Sequence, residues 1–423
     1  MFIIYNLVFF IFILVYLPVY LLRGKFHQGF LGRLGILPAF LNLDRPIWVH
    51  AVSVGEAVSI KELIGQLRKA YPHKKLVIST VTSTGNKIAQ GLVGNNDLLI
   101  YLPLDLSFIV RGVLERVNPC LFIIAETEIW PNLISQLYKK KIPIVIVNGR
   151  ISDSSYSGYS AIKYLIRPIL RKINMFLLQS DTDASRLQKL GVAKEKMRVT
   201  GNLKFDLNLN AGSGLSTLEE RRKLMLGPED KLWVCGSTHA GEEKLIMQTY
   251  QELLLVYPKL KLLIAPRHPE RSQEIAALAG KMKFVPVLVS NLSGACRICS
   301  NNSIFILDTI GKLFNYYACS DIVFVGGSLV KTGGHNILEP ASLKKPVIFG
   351  PYMFNFRDIV DLFIQAEAGI MVKDTVELNS KIKELLSSNL MAKNYGERAY
   401  KLINEYSGAT LKNVQIIKQL NLF

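Results

Sequence analysis

Cysteine is scarce in this chain, which contains five cysteines in 423 residues. They are Cys120, Cys235, Cys296, Cys299 and Cys319. An odd and scattered set does not provide the pairs that a disulfide framework needs, so we expect reduced thiols. Cys296 and Cys299 form a CxxC, but no second pair of ligands follows at a spacing suited to zinc. The sequence therefore predicts neither a disulfide scaffold nor a zinc site.

Acidic residues are also few, because 33 Asp and Glu stand against 51 Lys and Arg, which gives a net charge of +18. Such an excess implies acidic partners, namely nucleic acid, anionic lipid headgroups or a phosphorylated substrate. Charged residues make up 20% and hydrophobic residues 49%, which excludes a disordered chain. No internal repeat and no low-complexity tract is present, so repeat architectures are excluded as well.

Charge is absent from the first 22 residues, MFIIYNLVFFIFILVYLPVYLL. As a helix this run is about 33 Å long, which matches the hydrocarbon core of a bilayer. A cleaved signal peptide and a buried helix are the alternatives, but no basic region precedes the run and no small-residue cleavage site follows it. Arg23, Lys25 and Arg33 come after it, and such residues stay in the cytoplasm. We expect a single-pass inner-membrane anchor over 1–22 with the body on the cytoplasmic side.

Apolar runs typical of buried strands alternate with amphipathic stretches through the rest of the chain. The first group is PIWVHAV, KLVIST, DLLIYL, LFIIA, IVIV and MFLLQ, and the second is KLWVCG, KLKLLIAP, SIFILD, DIVFVGG and KPVIFG. The pattern lapses between Phe205 and Asp230. Alternation of this kind indicates parallel sheets with crossover helices. We predict an α/β protein of two facing Rossmann-like domains, 23–207 and 208–423, with ligands bound at the carboxyl ends of the strands. The second range includes the last helical stretch, whose packing partner the sequence does not decide.

In the first domain, three strand ends carry candidate residues. HAVSVGE places Ser53, Gly55 and Glu56 between a strand and a helix, where the helix amino terminus favours an ionised carboxylate. A glutamate that only complements the helix dipole is the alternative. IAETEIWPN places Glu126 after the fourth strand, with capping as the alternative. VTGNLKFD places Lys204 after a turn, where a lysine can neutralise a leaving phosphate, although most lysines are solvated surface charges.

In the second domain, LLIAPRHPER puts Pro266, Arg267 and His268 at a strand end, and the arginine fork suits phosphate. His268 is alternatively a helix cap. GSTHAGEE offers Ser237, Thr238 and His239, for which capping is the simpler interpretation. The DxD at Asp181 to Asp183 opens a helix and is interpreted as an N-cap rather than as a metal site. These last candidates are all ambiguous on sequence grounds alone.

The strongest local signal is DIVFVGGSLVKTGGHNILEPASLKKPVIFG, where a buried strand meets two glycine pairs and then a helix. The candidate residues in it are Gly326, Gly327, Gly333, Gly334, His335, Asn336 and Glu339. Turns of this kind bring backbone N–H groups to phosphate oxygens, although glycines also occur for purely steric reasons. Asn336 and Glu339 are one helical turn apart, so both can contact one ligand. The pattern indicates nucleotide binding.

Taken together, these blocks resemble the bacterial 3-deoxy-D-manno-octulosonic acid (Kdo) transferases of lipopolysaccharide assembly, over nearly the whole chain and in the same order. The segments that carry the resemblance are HAVSVGE, AETEIWPNL, VNGRISDSS, GNLKFD, CGSTHAGEE, APRHPER, VGGSLVKTGGHNILEPA and FGPYMFNF. The resemblance implies a GT-B fold with an inner-membrane anchor. It also implies a CMP-Kdo donor, a lipid A precursor as acceptor, and transfer with no metal and no cofactor.

Matched by motif, Glu56 is implied to be the general base, and Glu126 and Lys204 to stabilise the transition state. The residues implied to bind CMP are Pro266, Arg267, Ile310, Gly311, Lys312, Asn336, Ile337, Leu338 and Glu339. Lys312 replaces a glutamate that the family usually has, and the reversal matters only if this side chain contacts the nucleotide. The expected partners are the donor, the acceptor lipid and the anionic inner leaflet, and not nucleic acid. A transferase or epimerase that uses a UDP sugar, and a non-enzymatic nucleotide- or lipid-binding scaffold, are the rival functions.

Overall fold

The structure is a computed structural model that describes residues 5–7, 9–11, 15, 30–38, 41, 43–206, 217–293 and 302–422. The chain divides into two compact units. The first unit is Met1–Leu207 with Tyr406–Phe423, and the second unit is Asn208–Glu405. Each unit contains a seven-stranded parallel sheet. The predicted α/β class with two Rossmann-like sheets is therefore confirmed.

The sheet of the first unit has the strand order β3-β2-β1-β4-β5-β6-β7. Its strands are β1 (Ile47–His50), β2 (Leu76–Thr80), β3 (Leu98–Tyr101), β4 (Leu121–Ala125), β5 (Ile144–Gly149), β6 (Met175–Leu178) and β7 (Met197–Val199). The helices that precede or connect them are α1 (Phe30–Arg33), α2 (Val54–Ser59), α3 (Lys61–Ala70), α4 (Ser83–Gln90), α5 (Ser107–Val117), α6 (Pro131–Lys139), α7 (Asp153–Ala161), α8 (Lys163–Leu170) and α9 (Asp181–Lys189). Alternate strand residues enter two separate core clusters, for example Trp48 in one and Val49 in the other. Both faces of the sheet are thus buried, as the continuous apolar runs require.

The sheet of the second unit has the order β10-β11-β9-β8-β12-β13-β14. Its strands are β8 (Lys231–Thr238), β9 (Leu260–Pro266), β10 (Val285–Leu288), β11 (Ser303–Ile306), β12 (Ile322–Val325), β13 (Val347–Phe349) and β14 (Ile370–Met371). The helices are α10 (Thr217–Lys223), α11 (Glu242–Leu254), α12 (Ser272–Lys281), α13 (Leu313–Cys319), α14 (Leu338–Ser342), α15 (Arg357–Gln365), α16 (Thr375–Ser387) and α17 (Asn389–Tyr406). Its core contains Trp233, Tyr250 and Phe324, which are fully buried.

Strand order reverses once in each sheet, and this reversal creates a crevice for ligands. In the first unit the chain adds strands on one side of β1 and then crosses to β4 on the other side. In the second unit the same reversal occurs between β8 and β12. Open α/β sheets bind ligands at such a topological switch point, outside the carboxyl ends of the strands. The loops that follow these four strands are therefore the places to examine.

The last helix, α18 (Ala409–Gln419), packs on the first unit, so its predicted inclusion in a second domain of 208–423 is wrong. Its apolar side chains join one of the two core clusters of the first unit. The Asp206 carboxylate accepts hydrogen bonds from the amides of Gly408 and Thr410, both at 2.5 Å. A carboxylate at this helix start satisfies amides that have no partner within the helix. The chain thus enters the second unit and then returns to the first.

The predicted membrane anchor, 1–22, lies mostly outside the described residues. Where it is described, the Tyr5 hydroxyl donates to the Asp105 carboxylate at 3.0 Å. The Asn6 side-chain oxygen accepts from the Ser107 amide, also at 3.0 Å. Among the residues that the structure describes, no helix combines the length and the hydrophobicity of a membrane span. Tyr5 and Asn6 are thus held beside α5 by these hydrogen bonds.

Candidate functional site

Glu56 lies in the first turn of α2, directly after β1 at the switch point of the first unit. Ser53 is the N-cap of this helix, and its hydroxyl accepts from the Glu56 amide at 3.4 Å and donates to Glu56 Oε1 at 2.9 Å. Glu56 Oε2 accepts from the Val52 amide at 2.7 Å. This reciprocal arrangement resembles a capping box, with the glutamate at the third helical position. Glu56 is only 7% exposed, so the carboxylate is both a capping group and a buried acid.

Two further carboxyl groups, Glu126 and Glu128, follow β4 on the opposite side of the same switch point. Burial raises the pKa of Glu56 to about 7, and the negative charges of Glu126 and Glu128 act in the same direction. The hydrogen bonds from Val52 and Ser53 oppose this shift in pKa without cancelling it. Burial thus outweighs the hydrogen bonds at the helix start, which favour the ionised carboxylate as predicted. A carboxyl group with a pKa of about 7 is suited to exchange protons with a substrate.

The loop that carries Glu126 is held in an unusual backbone conformation. Glu126 has φ +60°, a left-handed conformation that non-glycine residues rarely adopt. Its amide donates to the Val147 carbonyl at 2.9 Å, and the Thr127 hydroxyl accepts from the Arg150 amide at 3.0 Å. Burial raises the pKa of Glu128, and the charge of Glu126 adds to this effect. The loop is thus fixed over the ends of β4 and β5, with its carboxyl groups close enough to interact.

Lys204 lies in a short 3₁₀ turn after β7, at the carboxyl ends of the strands, where Glu56 and Glu126 also lie. β7 is the edge strand, three strands away from β4. The turn nevertheless comes back over β5, because the Leu203 amide donates to the Asn148 side-chain oxygen at 3.0 Å. The Lys204 amide donates to the Asn202 side chain at 3.0 Å, which fixes the turn. The lysine backbone is therefore held near the end of β5, beside the strand that carries Glu126.

In the second unit, the buried carboxylate of Glu242 organises the glycine-rich turn after β12. Glu242 Oε2 accepts from the amides of His239 at 2.9 Å and Gly327 at 2.7 Å. Oε1 accepts from the amides of Ser328 and Leu329, both at 2.9 Å. Burial raises the pKa of Glu242, while these four hydrogen bonds act in the opposite direction. One carboxylate thus joins the loops that follow β8 and β12.

Three of the four glycine amides of this turn donate to protein oxygens. The amide of Gly327 is taken by Glu242, that of Gly326 by the Gly236 carbonyl at 2.8 Å, and that of Gly334 by the Gly327 carbonyl at 2.7 Å. The glycines are required for steric reasons. A Cβ on Gly326 would lie 2.6 Å from the Thr238 Cα. Glycine in this turn allows strands and loops to approach closely, and its N–H groups bind protein oxygens.

The predicted capping roles of Ser237, Thr238 and His239 are wrong, because Gly241 is the N-cap of α11 and makes no side-chain cap. The buried Thr238 hydroxyl donates to Glu243 Oε1 at 3.0 Å. Ser237 has φ +57°, a left-handed conformation like that of Glu126 in the first unit. His268 precedes a 3₁₀ turn and makes no side-chain cap bond either. The histidines of these loops are therefore available for another role.

Three histidines come together at this switch point. His239 Nε2 lies 2.8 Å from His335 Nε2, and the two rings are stacked at 8° with centroids 5.1 Å apart. The His268 ring approaches that of His239 edge-on at 6.1 Å. Burial lowers the pKa of His335 to about 4, and the charge of Arg267 acts in the same direction. The sequence did not predict this cluster, because the three histidines are far apart along the chain, although each follows the end of a strand.

Some of the residues predicted to bind nucleotide lie near this histidine cluster. Arg267 follows β9, and its charge also opposes the effect of burial, which raises the pKa of Glu339. Asn336 Nδ2 donates to Glu339 Oε1 at 3.3 Å, and Asn336 Oδ1 accepts from the Leu338 amide at 3.1 Å. Ile337 is fully buried. The structure thus brings the strand end at Pro266 and the segment Asn336 to Glu339 to one place.

The third predicted segment, Ile310 to Lys312, lies in the loop between β11 and α13. Ile310 is 86% exposed, and Gly311 has φ +84°. Lys312 is exposed and is the N-cap of α13, without a side-chain cap bond. β11 is the neighbour of β9, so this loop shares the carboxyl edge with Arg267. The Thr309 hydroxyl is buried and has no hydrogen-bond partner in the described part of the chain.

The DxD at Asp181 to Asp183 has a structural role at the start of α9. Ser180 is the N-cap, and its hydroxyl accepts from the Asp183 amide at 3.2 Å. Asp183 Oδ1 accepts from the Ile151 amide at 2.8 Å. Within the described ranges, no group of three or more His, Cys, Asp and Glu could hold a metal ion. Cys120, Cys235 and Cys319 are buried free thiols, and Cys296 and Cys299 lie outside the described residues.

Solved structures with the same two-domain architecture include nucleotide-sugar enzymes. The structure of UDP-GlcNAc 2-epimerase from Neisseria meningitidis bound to UDP-GlcNAc aligns over 88% of this chain and 100% of that one, with TM-score 0.58 and 16% identity. A glycosyltransferase from Rickettsia africae aligns over 89% of this chain and 98% of that one, with TM-score 0.58 and 15% identity. At these identities the likeness supports the fold and does not identify a substrate.

Proteins related in sequence identify the family, which the solved structures do not. Residues 28–207 match the family model described as 3-Deoxy-D-manno-octulosonic-acid transferase (kdotransferase). The 3-deoxy-D-manno-octulosonic acid transferase of Haemophilus influenzae is 36% identical over 403 residues, which cover 95% of this chain and 92% of that protein. The transferase of the same name from Chlamydophila psittaci is 32% identical over 376 residues, which cover 86% of this chain and 83% of that protein. With these matches along almost its whole length, the chain belongs to the 3-deoxy-D-manno-octulosonic acid transferase family, and it is a glycosyltransferase.

Proposed function

We propose that this protein transfers Kdo from CMP-Kdo to the lipid A precursor lipid IVA, with inversion at the anomeric carbon and without a divalent metal. The observation that carries the proposal is the buried Glu56 at a switch point, with a pKa raised to about 7. A base with this pKa accepts a proton near neutral pH and is not trapped in either protonation state. The family relationship supplies the reaction class, and the residues of the two switch points supply the roles.

In the proposed reaction, Glu56 takes the proton from a glucosamine hydroxyl of the acceptor while that oxygen attacks the anomeric carbon of Kdo. The new glycosidic bond forms as the bond to the CMP phosphate breaks, and CMP leaves with the electron pair. A single displacement inverts the anomeric centre. The hydrogen bonds from Val52 and Ser53 orient the carboxylate for this proton transfer.

We propose that Glu126 and Lys204 stabilise the charges that develop in the transition state. Glu126 supports the positive charge of the sugar ring, and Lys204 supports the negative charge of the leaving phosphate. The left-handed backbone of Glu126 is consistent with a functional position, because strained residues concentrate at active sites. Cationic side chains at the phosphate take the place that a divalent metal has in other transferases.

The donor nucleotide is proposed to bind at the switch point of the second unit. The contacting residues are proposed to be Pro266, Arg267, Ile310, Gly311, Lys312, Asn336, Ile337, Leu338 and Glu339. Arg267 contributes charge toward the phosphate, and the Asn336–Glu339 pair offers a carboxylate and an amide for hydroxyl groups. Ser53, Gly55, Ser237, Thr238, His268 and His335 are proposed as further substrate contacts, with Gly326, Gly327, Gly333 and Gly334 as the supporting turn.

We further propose that residues 1–22 anchor the protein in the bacterial inner membrane as a single span, with both units on the cytoplasmic side. The positive charge of +18 suits the anionic leaflet and an acceptor that carries phosphates. An acylated acceptor stays in the bilayer, so anchoring confines the enzyme and its substrate to one surface. A spanning arrangement requires that Tyr5 and Asn6 release their hydrogen bonds to Asp105 and Ser107.

The product decides the function. Incubation of the purified protein with CMP-Kdo and tetra-acylated lipid IVA is expected to add the mass of one or more Kdo residues to the lipid. Calorimetry is expected to detect binding of CMP and not of UDP, and incubation with UDP-GlcNAc is expected to give no epimer. An unchanged lipid mass, or binding of UDP alone, would exclude Kdo transfer and favour a UDP-sugar enzyme or a scaffold.

Replacement of the proposed base tests its role. Glu56→Gln keeps the shape of the side chain and one oxygen that can accept from the Val52 amide, but it cannot accept a proton, so turnover should fall about 10²- to 10⁴-fold. CMP affinity, measured by calorimetry, should stay unchanged because the nucleotide binds to the other unit. Glu62→Gln is the matched control, since Glu62 accepts from Gln66 on α3 and should leave turnover intact. Normal turnover of Glu56→Gln would remove this residue from the mechanism.

The pH dependence should follow the raised pKa of Glu56. Below pH 7 the carboxyl is protonated and inactive as a base, so kcat/KM should rise about tenfold per pH unit and level off above pH 7. Glu128→Gln removes a negative charge that raises the pKa of Glu56, and should move this acid limb to lower pH by less than one unit. Glu62→Gln should leave it in place. A limb that does not move in Glu128→Gln would assign the titration to another group.

Removal of residues 1–22 should release the protein from washed membranes into the soluble fraction while CMP binding is retained. Tyr5→Phe with Asn6→Ala in the full chain removes the hydrogen bonds to the first unit and should leave membrane attachment unchanged. Quantitative blotting of both fractions after alkaline carbonate extraction measures the distribution. Continued membrane attachment of the shortened chain would place the membrane contact elsewhere on the protein.

A further inference from the structure

Three of the six histidines of the chain meet at the switch point of the second unit. His239 follows β8, His268 follows β9 and His335 follows β12, so three separate loops contribute one ring each. The closest contact joins His239 Nε2 and His335 Nε2 at 2.8 Å. These rings have no assigned role in the proton transfer by Glu56. Their convergence at a ligand-binding edge calls for a function of their own.

A contact of 2.8 Å between two imidazole nitrogens fixes the number of protons that lie between these two atoms. One Nε2 must carry a hydrogen and the other must offer a lone pair, since two N–H groups or two lone pairs would repel each other. The His239–His335 contact therefore holds a single proton between the two Nε2 atoms, which fits either two neutral rings or one protonated and one neutral ring. Burial and the nearby positive charges favour two neutral rings, because they lower the pKa of both histidines.

Positively charged groups outnumber negatively charged groups around His239. Arg267, His268 and Arg271 lower the pKa of His239, and Glu243 alone among the charged neighbours raises it. Glu243 is already engaged, because it accepts from Arg271 at 2.7 Å and from Thr238. Four backbone amides donate hydrogen bonds to the Glu242 carboxylate. The acids next to the pair are thus committed to the protein.

Two further acids belong to the site: Glu270, whose Oε1 lies 3.7 Å from His268 Nδ1 and which is exposed, and Glu339, which is on the β12 side. Burial raises the pKa of Glu339, and both the Asn336 side chain and the charge of Arg267 oppose that shift. Arg267 therefore acts on Glu339 and on the histidine pair at once, which gives the site a cationic centre beside neutral, protonatable rings. An anionic ligand would offset this positive charge and reverse the electrostatic preference of the rings.

We propose that His239, His268, His335 and Arg267 form a subsite for the phosphate of the nucleotide donor, and that the His239–His335 pair takes up one proton when this anion binds. The proton comes from solvent and is held on the pair, so that a second N–H becomes available to a phosphate oxygen. No covalent bond changes. The inference rests on the proposed CMP-sugar donor, and it adds a coupling between donor binding and pH.

Calorimetry tests this coupling with the methyl ester of cytidine 5′-monophosphate as the probe. The ester keeps one negative charge across neutral pH, so a proton taken up on binding must reside on the protein. Titrations at pH 7 in three buffers with different ionisation enthalpies give the number of protons from the slope of the binding enthalpy. We expect an uptake of roughly one proton per site, and an affinity that falls up to about tenfold per pH unit between the pKa of the free pair and the pKa of the bound pair, and that levels off above the latter. EDTA in all buffers removes adventitious metal.

Variants locate the proton. His335→Gln and His239→Gln keep a polar side chain but cannot become charged, so each should abolish most of the uptake and make the affinity independent of pH. His73→Gln is the matched control, because His73 is exposed in the first unit and its removal should change neither quantity. Unfolding curves and circular dichroism identify a variant that has lost its fold, and the wild-type measurement remains decisive in that case.

The outcomes separate the two proposals. Binding of the ester without proton uptake would overturn the coupling and leave the CMP-sugar function intact. Uptake that persists in both histidine variants would place the proton on another group such as Glu339, and would also overturn it. Absence of any binding by CMP and by its ester would remove the donor assignment itself, and the coupling with it.

Discussion

Both units depend on the same topological constraint, the reversal of strand order beside their first strand. Parallel strands place their carboxyl ends at one edge, and the reversal separates the loops of two neighbouring strands so that a ligand can enter. Crossover helices cover the two faces of each sheet and leave this edge accessible. Glu126 and Ser237, two residues with a left-handed backbone conformation, lie at these reversals.

The two switch points have opposite electrostatic character. In the first unit burial and the charges of Glu126 and Glu128 raise the pKa of Glu56, which suits an acid that must exchange a proton. In the second unit Arg267 and three histidines surround a site whose acids are largely occupied by amides and by Arg271. Like charges destabilise a folded protein unless a ligand offsets them. Each site is therefore arranged around a charge that the substrate, rather than the protein, supplies.

Strand ends and helix starts were readable from the sequence, because they depend on residues that are close along the chain. Apolar runs located β1 and β4 and hence Glu56 and Glu126, and Asp181 was correctly expected to begin a helix. Contacts between distant residues were not readable. Glu242 and Gly327 are separated by 85 positions and the histidine pair by 96, so no local pattern announces either contact. The raised pKa of Glu56 has the same origin, since burial and carboxyl groups from another loop produce it.

The packing of α18 on the first unit has a consequence for synthesis. Chains emerge from the ribosome from the amino terminus onward, and domains generally fold as units while this proceeds. The first unit is nevertheless incomplete until Ala409–Gln419 has emerged, because this helix covers one of its core clusters and satisfies Asp206. The second unit is contiguous and can close earlier. The unit that starts first is thus finished last, and its uncovered apolar surface must be protected for nearly the whole time of translation.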